Sequence, residues 1–261
     1  MIAGLTATFE PQLKRTIVRS YRLAKRLLPR RGPDGPSTLA IGRLGRFEIA
    51  HRRGTADEQV IEESQDDLFF AGVPEYQPAA GHVIVDIGAH IGTFALSASA
   101  KVGPSGQVHA IEASADSFNM LRINVALNHA ENVAVHHLAI ADTNGTCTLY
   151  HDNGNWGHSM VKRLSASSEQ ASCSTLAHFL ETCGIQHCDF MKFNCEGAEF
   201  PILLATPPEV LRRTRAMLVL YHCDLWEKNT PADLVAHLER SGFQCTFRNR
   251  SEKRGWLVAT R

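Results

Sequence analysis

The fold is decided by residues 83–92, which read Val83-Ile84-Val85-Asp86-Ile87-Gly88-Ala89-His90-Ile91-Gly92. A short apolar run that ends in an acid is typical of a buried strand, and the glycines after it allow a tight turn. Apolar positions then recur from Thr93 to Val102 at helical spacing. The stretch therefore predicts a strand, a turn and a helix start, whose free N–H groups suit polar or anionic ligands.

A second strand of the same kind runs from Gln107 to Glu112 and again ends in an acid. In nucleotide-binding βαβ units, an acid about 20 residues beyond the glycine turn accepts hydrogen bonds from ribose hydroxyls. We therefore expect residues 83–112 to form a nucleoside-binding βαβ unit, with Glu112 on the ribose.

Strands and helices alternate along the rest of the chain. Further strands are predicted at 133–138, 189–193, 216–221, 243–248 and 256–259, and helices at 116–128, 175–182 and 231–241. Apolar strands separated by helices indicate a mostly parallel sheet that is covered on both faces. The last two strands are separated by seven residues, which is too few for a parallel crossover, so they should form an antiparallel hairpin.

The composition is that of an ordinary globular protein. The chain has 261 residues, of which 44% are hydrophobic, and its net charge of zero gives no sign of nucleic-acid binding. The seven cysteines form no Cys-x-x-Cys pair, no secretory signal is evident, and no apolar run approaches the roughly 18–20 residues of a membrane span. We therefore expect a cytoplasmic protein. Paired short spacings of Cys and His are absent, so no bound metal is predicted.

The N-terminal segment differs from the rest in charge. Residues 1–31 hold eight Lys and Arg residues against Glu10 alone, and residues 11–28 carry an apolar stripe at helical spacing. This predicts a basic amphipathic helix and linker over 1–36, followed by a lead-in segment over 37–80 and the main domain over 81–261. The helix would contact a membrane surface or a partner, or lie on its own domain or on the other chain of a homodimer; the sequence leaves these alternatives open.

Three segments together resemble a known family: Asp86-Ile87-Gly88-Ala89-His90-Ile91-Gly92, Ile111-Glu112, and Asp189-Phe190-Met191-Lys192-Phe193-Asn194-Cys195-Glu196-Gly197-Ala198-Glu199. They resemble the FkbM-type methyltransferases, which use S-adenosylmethionine (SAM), and the likeness covers roughly residues 50–260. It implies an α/β fold with a Rossmann-like seven-stranded methyltransferase sheet, mostly parallel with an antiparallel C-terminal hairpin. The family often has Asp, Asn and Pro where Asn194, His90 and Ala113 stand here.

The resemblance implies SAM as cofactor and a hydroxyl of a small natural product, sugar or glycan as methyl acceptor. An N-methyltransferase of the same fold and a non-catalytic cofactor-binding module remain alternatives. A dinucleotide-dependent oxidoreductase is disfavoured, because the turn Gly88-Ala89-His90-Ile91-Gly92 lacks the middle glycine of Gly-x-Gly-x-x-Gly.

The predicted cofactor site comprises the residues that follow the strands of the βαβ unit, together with one residue after a later strand. Asp86 is expected to orient the turn or to reach the methionine amine, and residues 139–142 follow the strand where this fold meets the adenine. The full predicted set is Asp86, Gly88, Ala89, His90, Gly92, Glu112, Ala113 and Asn194.

Catalytic candidates are Glu196, His222 and Asn194, because ligands bind outside the carboxyl ends of strands in open α/β sheets. His222 is the natural base for a hydroxyl near neutral pH, whereas Asn194 cannot take a proton. Lys192 is expected to pair with an acid such as Glu199. A magnesium cluster of Asp189, Glu196 and Asp224 is left open by the spacing.

Substrate-binding candidates are Trp156, His158 and Ser159. They lie in residues 151–173, a polar, glycine-containing segment that is predicted to be a long loop. Loops of this length within a compact domain are usually functional or disordered.

Overall fold

The computed structural model describes residues 38–65, 68–152, 157–162, 165–248, 251 and 253–261. The basic helix predicted at 11–28 lies outside these residues, as does Trp156. Residues 39–261 form one compact unit. Within the part of the chain that is described, no helix is both long and apolar enough to cross a membrane.

The strands are β1 (Leu39–Leu44), β2 (Phe47–Arg52), β3 (Val83–Ile87), β4 (Gln107–Glu112), β5 (Val133–His137), β6 (Ala139–Ala141), β7 (Gly145–Tyr150), β8 (Ser168–Thr175), β9 (Cys188–Phe193), β10 (Thr214–His222), β11 (Gln244–Arg248) and β12 (Arg254–Thr260). The helices are α1 (Asp57–Glu63), α2 (Leu68–Ala71), α3 (Thr93–Val102), α4 (Ala115–Leu127), α5 (Leu176–Thr182), α6 (Glu199–Ala205), α7 (Pro208–Leu211) and α8 (Pro231–Arg240).

The central sheet has seven strands in the spatial order β11-β12-β10-β9-β3-β4-β5. The ladders from β5 to β10 are parallel, and β12 runs antiparallel to both β10 and β11. This confirms the predicted seven-stranded, mostly parallel sheet with a C-terminal antiparallel hairpin. The predicted strand and helix bounds in the sheet differ from the observed ones by a few residues at most.

The sheet is buried on both faces, which explains why its strands are short apolar runs. Ile84, Phe190, Phe193 and Tyr221 are fully buried side chains from its central strands. Parallel strands whose two faces are both covered need no polar side, so they lack the alternation of a half-exposed strand. The carboxyl ends of β3, β4, β9 and β10 then meet at one edge of the sheet, which is where the candidate site lies.

The lead-in segment forms the hairpin β1–β2 and the helices α1 and α2. β1 pairs antiparallel with β2, and Gly45 makes the turn with φ of +54°. Buried Asn124 of α4 fastens the hairpin: its Oδ1 accepts the N–H of Ala50 at 2.7 Å, and its Nδ2 donates to the carbonyls of Ala50 and Ile91 at 3.0 and 2.8 Å.

The prediction of a long loop over 151–173 is wrong for the last part of that range. β8 begins at Ser168 and belongs to a three-stranded sheet in the order β6-β8-β7. The strand looks like a loop in sequence because most of its residues are polar, and only Ala171, Cys173 and Ser174 are buried.

Candidate active site

A cavity of about 340 Å³ opens where the central strands end. That volume is within the usual range for small-molecule sites. Of the residues predicted for the cofactor, the acceptor or catalysis, those lining this cavity are Gly88, Ala89, His90, Glu112, Ala113, His158, Asn194, Glu196 and His222.

The turn after β3 passes very close to the segment after β9. Gly88 has φ of +78°, and a Cβ built on it would lie 2.0 Å from the backbone oxygen of Asn194. The N–H groups of Gly88 and Ala89 both donate to the carbonyl of Ile111, at 3.0 and 2.9 Å. Position 88 therefore requires glycine for both its conformation and its contact with the next strand end.

Asp86 and Lys192 form a buried ion pair beneath the turn, and neither Asp86 nor Gly92 lines the cavity. Lys192 Nζ lies 2.7 Å from Asp86 Oδ1 and also donates to the Gly88 carbonyl at 3.2 Å. Lys192 pairs with an acid, as predicted, but the acid is Asp86 rather than Glu199, because β3 and β9 are in register with Asp86 directly opposite Lys192. Gly92 is instead a packing position, where a Cβ would lie 2.6 Å from Leu121 Cδ1.

Glu112 ends β4 with its carboxylate held by the backbone. Its Oε2 accepts the N–H of His90 at 2.8 Å and its Oε1 accepts the N–H of Ser114 at 2.9 Å. Burial raises the pKa of Glu112, and these two hydrogen bonds oppose that rise. Each carboxylate oxygen accepts more than one hydrogen bond, so acceptor positions remain for ribose hydroxyls.

His90 contacts a buried ion pair that was not predicted from the sequence. Its backbone φ is +51°, and its Nε2 lies 3.3 Å from Asp57 Oδ1 and 3.4 Å from Arg52 Nη2. Arg52 and Asp57 are joined by two side-chain hydrogen bonds of 2.8 and 2.7 Å, and both are almost completely buried. The Arg52 guanidinium outweighs the effect of burial, so the pKa of Asp57 is lowered.

Glu199 holds His222 in a defined orientation. Glu199 is fully buried, and its Oε1 lies 3.0 Å from His222 Nδ1 while accepting the backbone N–H of His222 at 2.7 Å. Its Oε2 accepts the N–H of Gly197 at 3.0 Å. An ionised carboxylate only accepts hydrogen bonds, so Nδ1 of His222 carries a proton and Nε2 is the nitrogen available to a substrate.

Glu196 faces the other nitrogen of the same ring. Its Oε2 lies 3.6 Å from His222 Nε2, and its backbone has φ of +49°, which is rare for a residue with a Cβ. Burial raises the pKa of Glu196, although the charge of His222 opposes it. Burial would lower the pKa of His222, but the hydrogen bond and charge of Glu199 outweigh it and the pKa is raised.

The chain was compared with models of protein families. The family model described as the methyltransferase FkbM domain matches residues 86–245, which is more than half of the chain. The chain belongs to the FkbM methyltransferase family. It is therefore a SAM-dependent methyltransferase, as the sequence motifs predicted.

The chain is also similar to solved structures at low identity. The precorrin-6y C5,15-methyltransferase of Geobacter metallireducens is 14% identical, with 85% of this chain and 98% of that chain covered and a TM-score of 0.47. Aeropyrum pernix fibrillarin in complex with SAM is 14% identical, with 90% and 86% covered and a TM-score of 0.47. No curated protein matches the chain.

The residues that line the cavity have the chemistry to hold SAM. Glu112 offers carboxylate oxygens for ribose, and the segment after β5 lines the cavity with Leu138, Ala139 and Ile140, which suit an adenine ring. Ser117 of α4 also lines this part of the cavity, although the sequence did not single it out.

The substrate-binding candidates predicted in the loop after β7 do not all reach the cavity. His158 lines the cavity, whereas Ser159 is fully buried and donates from its Oγ to the carbonyl of Glu196 at 2.8 Å. Gly157 packs on the Glu196 side chain, since a Cβ there would lie 2.3 Å from Glu196 Cδ. The loop therefore positions Glu196 from both sides.

Aromatic and charged side chains that sequence reasoning missed also line the cavity. The rings of Phe69 and Trp256 are stacked with centroids 6.0 Å apart, and both residues line the cavity. Arg254 also lines it and binds Asp224 with nitrogen–oxygen distances of 2.9–3.2 Å. Their positions at α2 and β12 are far apart in sequence, so no local motif announces them.

The magnesium cluster that the spacing left open is not assembled among the described residues. Asp189 lies near the start of β9 and accepts the N–H of Val83 at 2.8 Å, whereas Glu196 follows the end of that strand. Asp224 is engaged by Arg254.

Proposed function

We propose that this FkbM methyltransferase methylates a hydroxyl group on a small natural product, sugar or glycan. The observation that carries the proposal is the contact between Glu199 and His222. Glu199 binds Nδ1 of His222, and Nε2 of the same ring faces Glu196 at the cavity. A hydroxyl that is to be methylated must lose its proton, and a histidine oriented by a carboxylate is suited to accept it.

His222 is the general base in this account. SAM, when bound, supplies an electrophilic methyl group on a sulfonium that leaves as a neutral thioether. His222 Nε2 takes the proton of the acceptor hydroxyl while the hydroxyl oxygen forms the new bond to the methyl carbon. Glu199 then stabilises the resulting imidazolium, because its carboxylate lies 3.0 Å from Nδ1.

Asn194 has a different part in the reaction from the Asp that often stands there in the family. It lines the cavity and can donate or accept a hydrogen bond, but it cannot take a proton. Positioning the acceptor is therefore its proposed role, and the base is supplied from β10 instead.

The acceptor side of the cavity suits a polyhydroxylated ring. The faces of Phe69 and Trp256 offer apolar surface for C–H groups, while Glu196, His222 and Arg254 offer hydrogen bonds for hydroxyls. A site with aromatic walls and a few placed polar groups orients a ligand through both kinds of contact.

The test supplies SAM carrying a ¹³C-labelled methyl group together with a panel of sugars and polyketide-like alcohols. Each alcohol is paired with an analogue in which the hydroxyl is replaced by an amine or by a methyl ether. We expect labelled O-methyl products from the alcohols and none from the ethers. Labelled N-methyl products from the amines alone would contradict O-methylation, and binding of SAM without transfer to any acceptor would favour a non-catalytic module.

A further inference from the structure

We propose that His109, His136 and Cys183 form a binding site for one transition-metal ion of the Zn²⁺ class. The three residues come from β4, from β5 and from the end of α5, and none of them lines the cavity described above. Their sequence separations are large, so ligand spacing in the sequence predicted no such site.

The geometry is close to that of a bound ion. One ligand atom from each residue can be chosen so that all three lie within 4.8 Å of one another. The nearest ring nitrogens, Nδ1 of His109 and Nε2 of His136, are 3.1 Å apart. Zinc bonds at tetrahedral angles place ligand atoms roughly 3.3–3.7 Å apart. The two ring nitrogens are already near that separation, so it is mainly the Cys183 sulfur that would have to move closer to them.

The two rings pack against each other and against one aromatic side chain. They stack with centroids 5.3 Å apart, and each meets Phe179 of α5 at nearly a right angle. His109 is 3% exposed, so its Nδ1, which faces His136, is shielded from bulk water. These contacts hold the two imidazoles in the orientation that brings their facing ring nitrogens to 3.1 Å.

The donor set selects the class of ion. Two imidazoles and one thiolate suit Zn²⁺ and Cu⁺, whereas Mg²⁺ and Ca²⁺ prefer oxygen ligands. A neutral imidazole binds such an ion through one of its ring nitrogens. The Cys183 thiol releases its proton to solvent as the metal–sulfur bond forms.

An ion at this position would join two neighbouring strands to the helix that covers them. His136 and Cys183 are only partly buried, which gives the ion a route from solvent, and three protein ligands leave the fourth position to water. The expected consequence is a more stable sheet edge at β4 and β5, because an ion that binds only the folded state shifts the unfolding equilibrium.

The test titrates Co²⁺, a spectroscopic substitute for Zn²⁺, into the chelator-treated full-length protein. Wild type should bind one equivalent with the visible bands of a tetrahedral ion and a thiolate-to-cobalt charge-transfer band, and Zn²⁺ should displace it and raise the Tm. Cys183→Ser should lose the charge-transfer band and bind about tenfold more weakly or worse. Cys245→Ser is the matched control, since Cys245 is also partly buried but lies in β11 at the opposite edge of the sheet.

His136→Asn provides a second variant that keeps the thiol, with folding of each variant checked by circular dichroism. It should also weaken Co²⁺ binding while retaining any sulfur charge-transfer band at saturation. Absence of stoichiometric binding by wild type would overturn the site. Binding that is equal in wild type, Cys183→Ser and His136→Asn would also overturn it, because the ion would then lie elsewhere.

Discussion

The buried carboxylate of Glu199 is shared by groups from two parts of the chain. It receives the ring and the backbone N–H of His222 from β10, and the N–H of Gly197 from its own turn. Each of these bonds restricts the carboxylate, and the carboxylate in turn fixes the imidazole. The chemistry proposed for His222 therefore depends on a residue that itself does not line the cavity.

The rate of methyl transfer should rise with pH through the pKa of His222. The protonated ring cannot accept a proton, and Glu199 holds this pKa above the ordinary value of 6.5 despite burial. We expect the midpoint of the kcat–pH profile at saturating SAM to lie above 6.5 and to fall in Glu199→Gln, where the negative charge is gone. A midpoint that is the same in both proteins would contradict this assignment.

Gly157→Ala should impair activity without unfolding the protein. The new Cβ would overlap Cγ, Cδ and Oε1 of Glu196, so the flexible end of that side chain would have to shift. We expect kcat/KM to fall by about tenfold or more while the free energy of unfolding changes by about 0.5 kcal/mol or less. Gly42→Ala is the control, because its Cβ would make only ordinary contacts, at 3.4 Å or more; an equal loss in both variants would argue against a role for the position of Glu196.

At the scale of elements, the β1–β2 hairpin lies before the residues that the family model matches, yet it contacts the cofactor turn. Arg52 at the end of β2 and Asp57 at the start of α1 both approach the ring of His90. Asn124 of α4 joins the same hairpin to Ile91. The turn after β3 is thus held from outside the matched domain as well as from within it.

The double variant Arg52→Met, Asp57→Leu should weaken SAM binding. Replacing both members of a buried ion pair by apolar residues is often tolerated, whereas removing one leaves an uncompensated charge. Without the pair, the His90 ring loses its contacts with Arg52 and Asp57, and we expect the Kd for SAM in calorimetry to rise by about tenfold.

The matching control for that variant is Arg248→Met, Glu75→Leu, which removes an ion pair at a partly exposed position away from the cavity. The two double variants are compared by Tm as well as by Kd. An unchanged Kd in a folded Arg52→Met, Asp57→Leu protein would show that the hairpin does not influence the cofactor turn.

Asn124→Ala should destabilise the fold more than Asn128→Ala does. The first substitution leaves three buried backbone groups without partners, those of Ala50 and Ile91, so we expect the free energy of unfolding to fall by about 3 kcal/mol. Asn128 binds Glu48 in a similar manner but is only partly buried, so water can replace it. Chemical denaturation would measure both, and equal losses would contradict the importance of burial here.

Local patterns predicted some elements well and others not at all. The helix predicted over 231–241 is observed as α8, and its start is capped by Asp233, whose Oδ2 accepts the Thr230 N–H at 2.7 Å. β8 was missed because a strand with mostly polar residues has no apolar alternation. β1 was missed because it pairs with β2, and β2 is itself held by Asn124 of α4 and by Asn128 just after that helix, more than 70 residues further along the chain.

At the scale of the whole molecule, the strand order brings together residues that are distant in sequence. β3 lies between β4 and β9, and β9 lies beside β10, so Gly88, Glu112, Glu196 and His222 meet at one edge. The sequence predicted these residues because each follows an apolar strand, and the edge rule for open sheets then places them together.

The parts of the site that the sequence could not predict depend on packing between elements. Arg52, Phe69 and Trp256 belong to a hairpin, a short helix and the last strand, and nothing in their local sequence marks them as neighbours of the cavity. The prediction of Glu199 as the partner of Lys192 failed for the same reason. Strand register, which is not visible in sequence spacing, places Asp86 opposite Lys192.

The Glu199–His222 mechanism is tested by two measurements on the same samples of wild type and Glu199→Gln: the Kd for SAM, and the single-turnover rate of methyl transfer to an alcohol accepted in the panel. We expect a Kd within roughly twofold of wild type and a transfer rate lower by about a hundredfold or more, because Glu199 acts on the base and not on the cofactor. An unchanged transfer rate in the folded variant would contradict the Glu199–His222 mechanism.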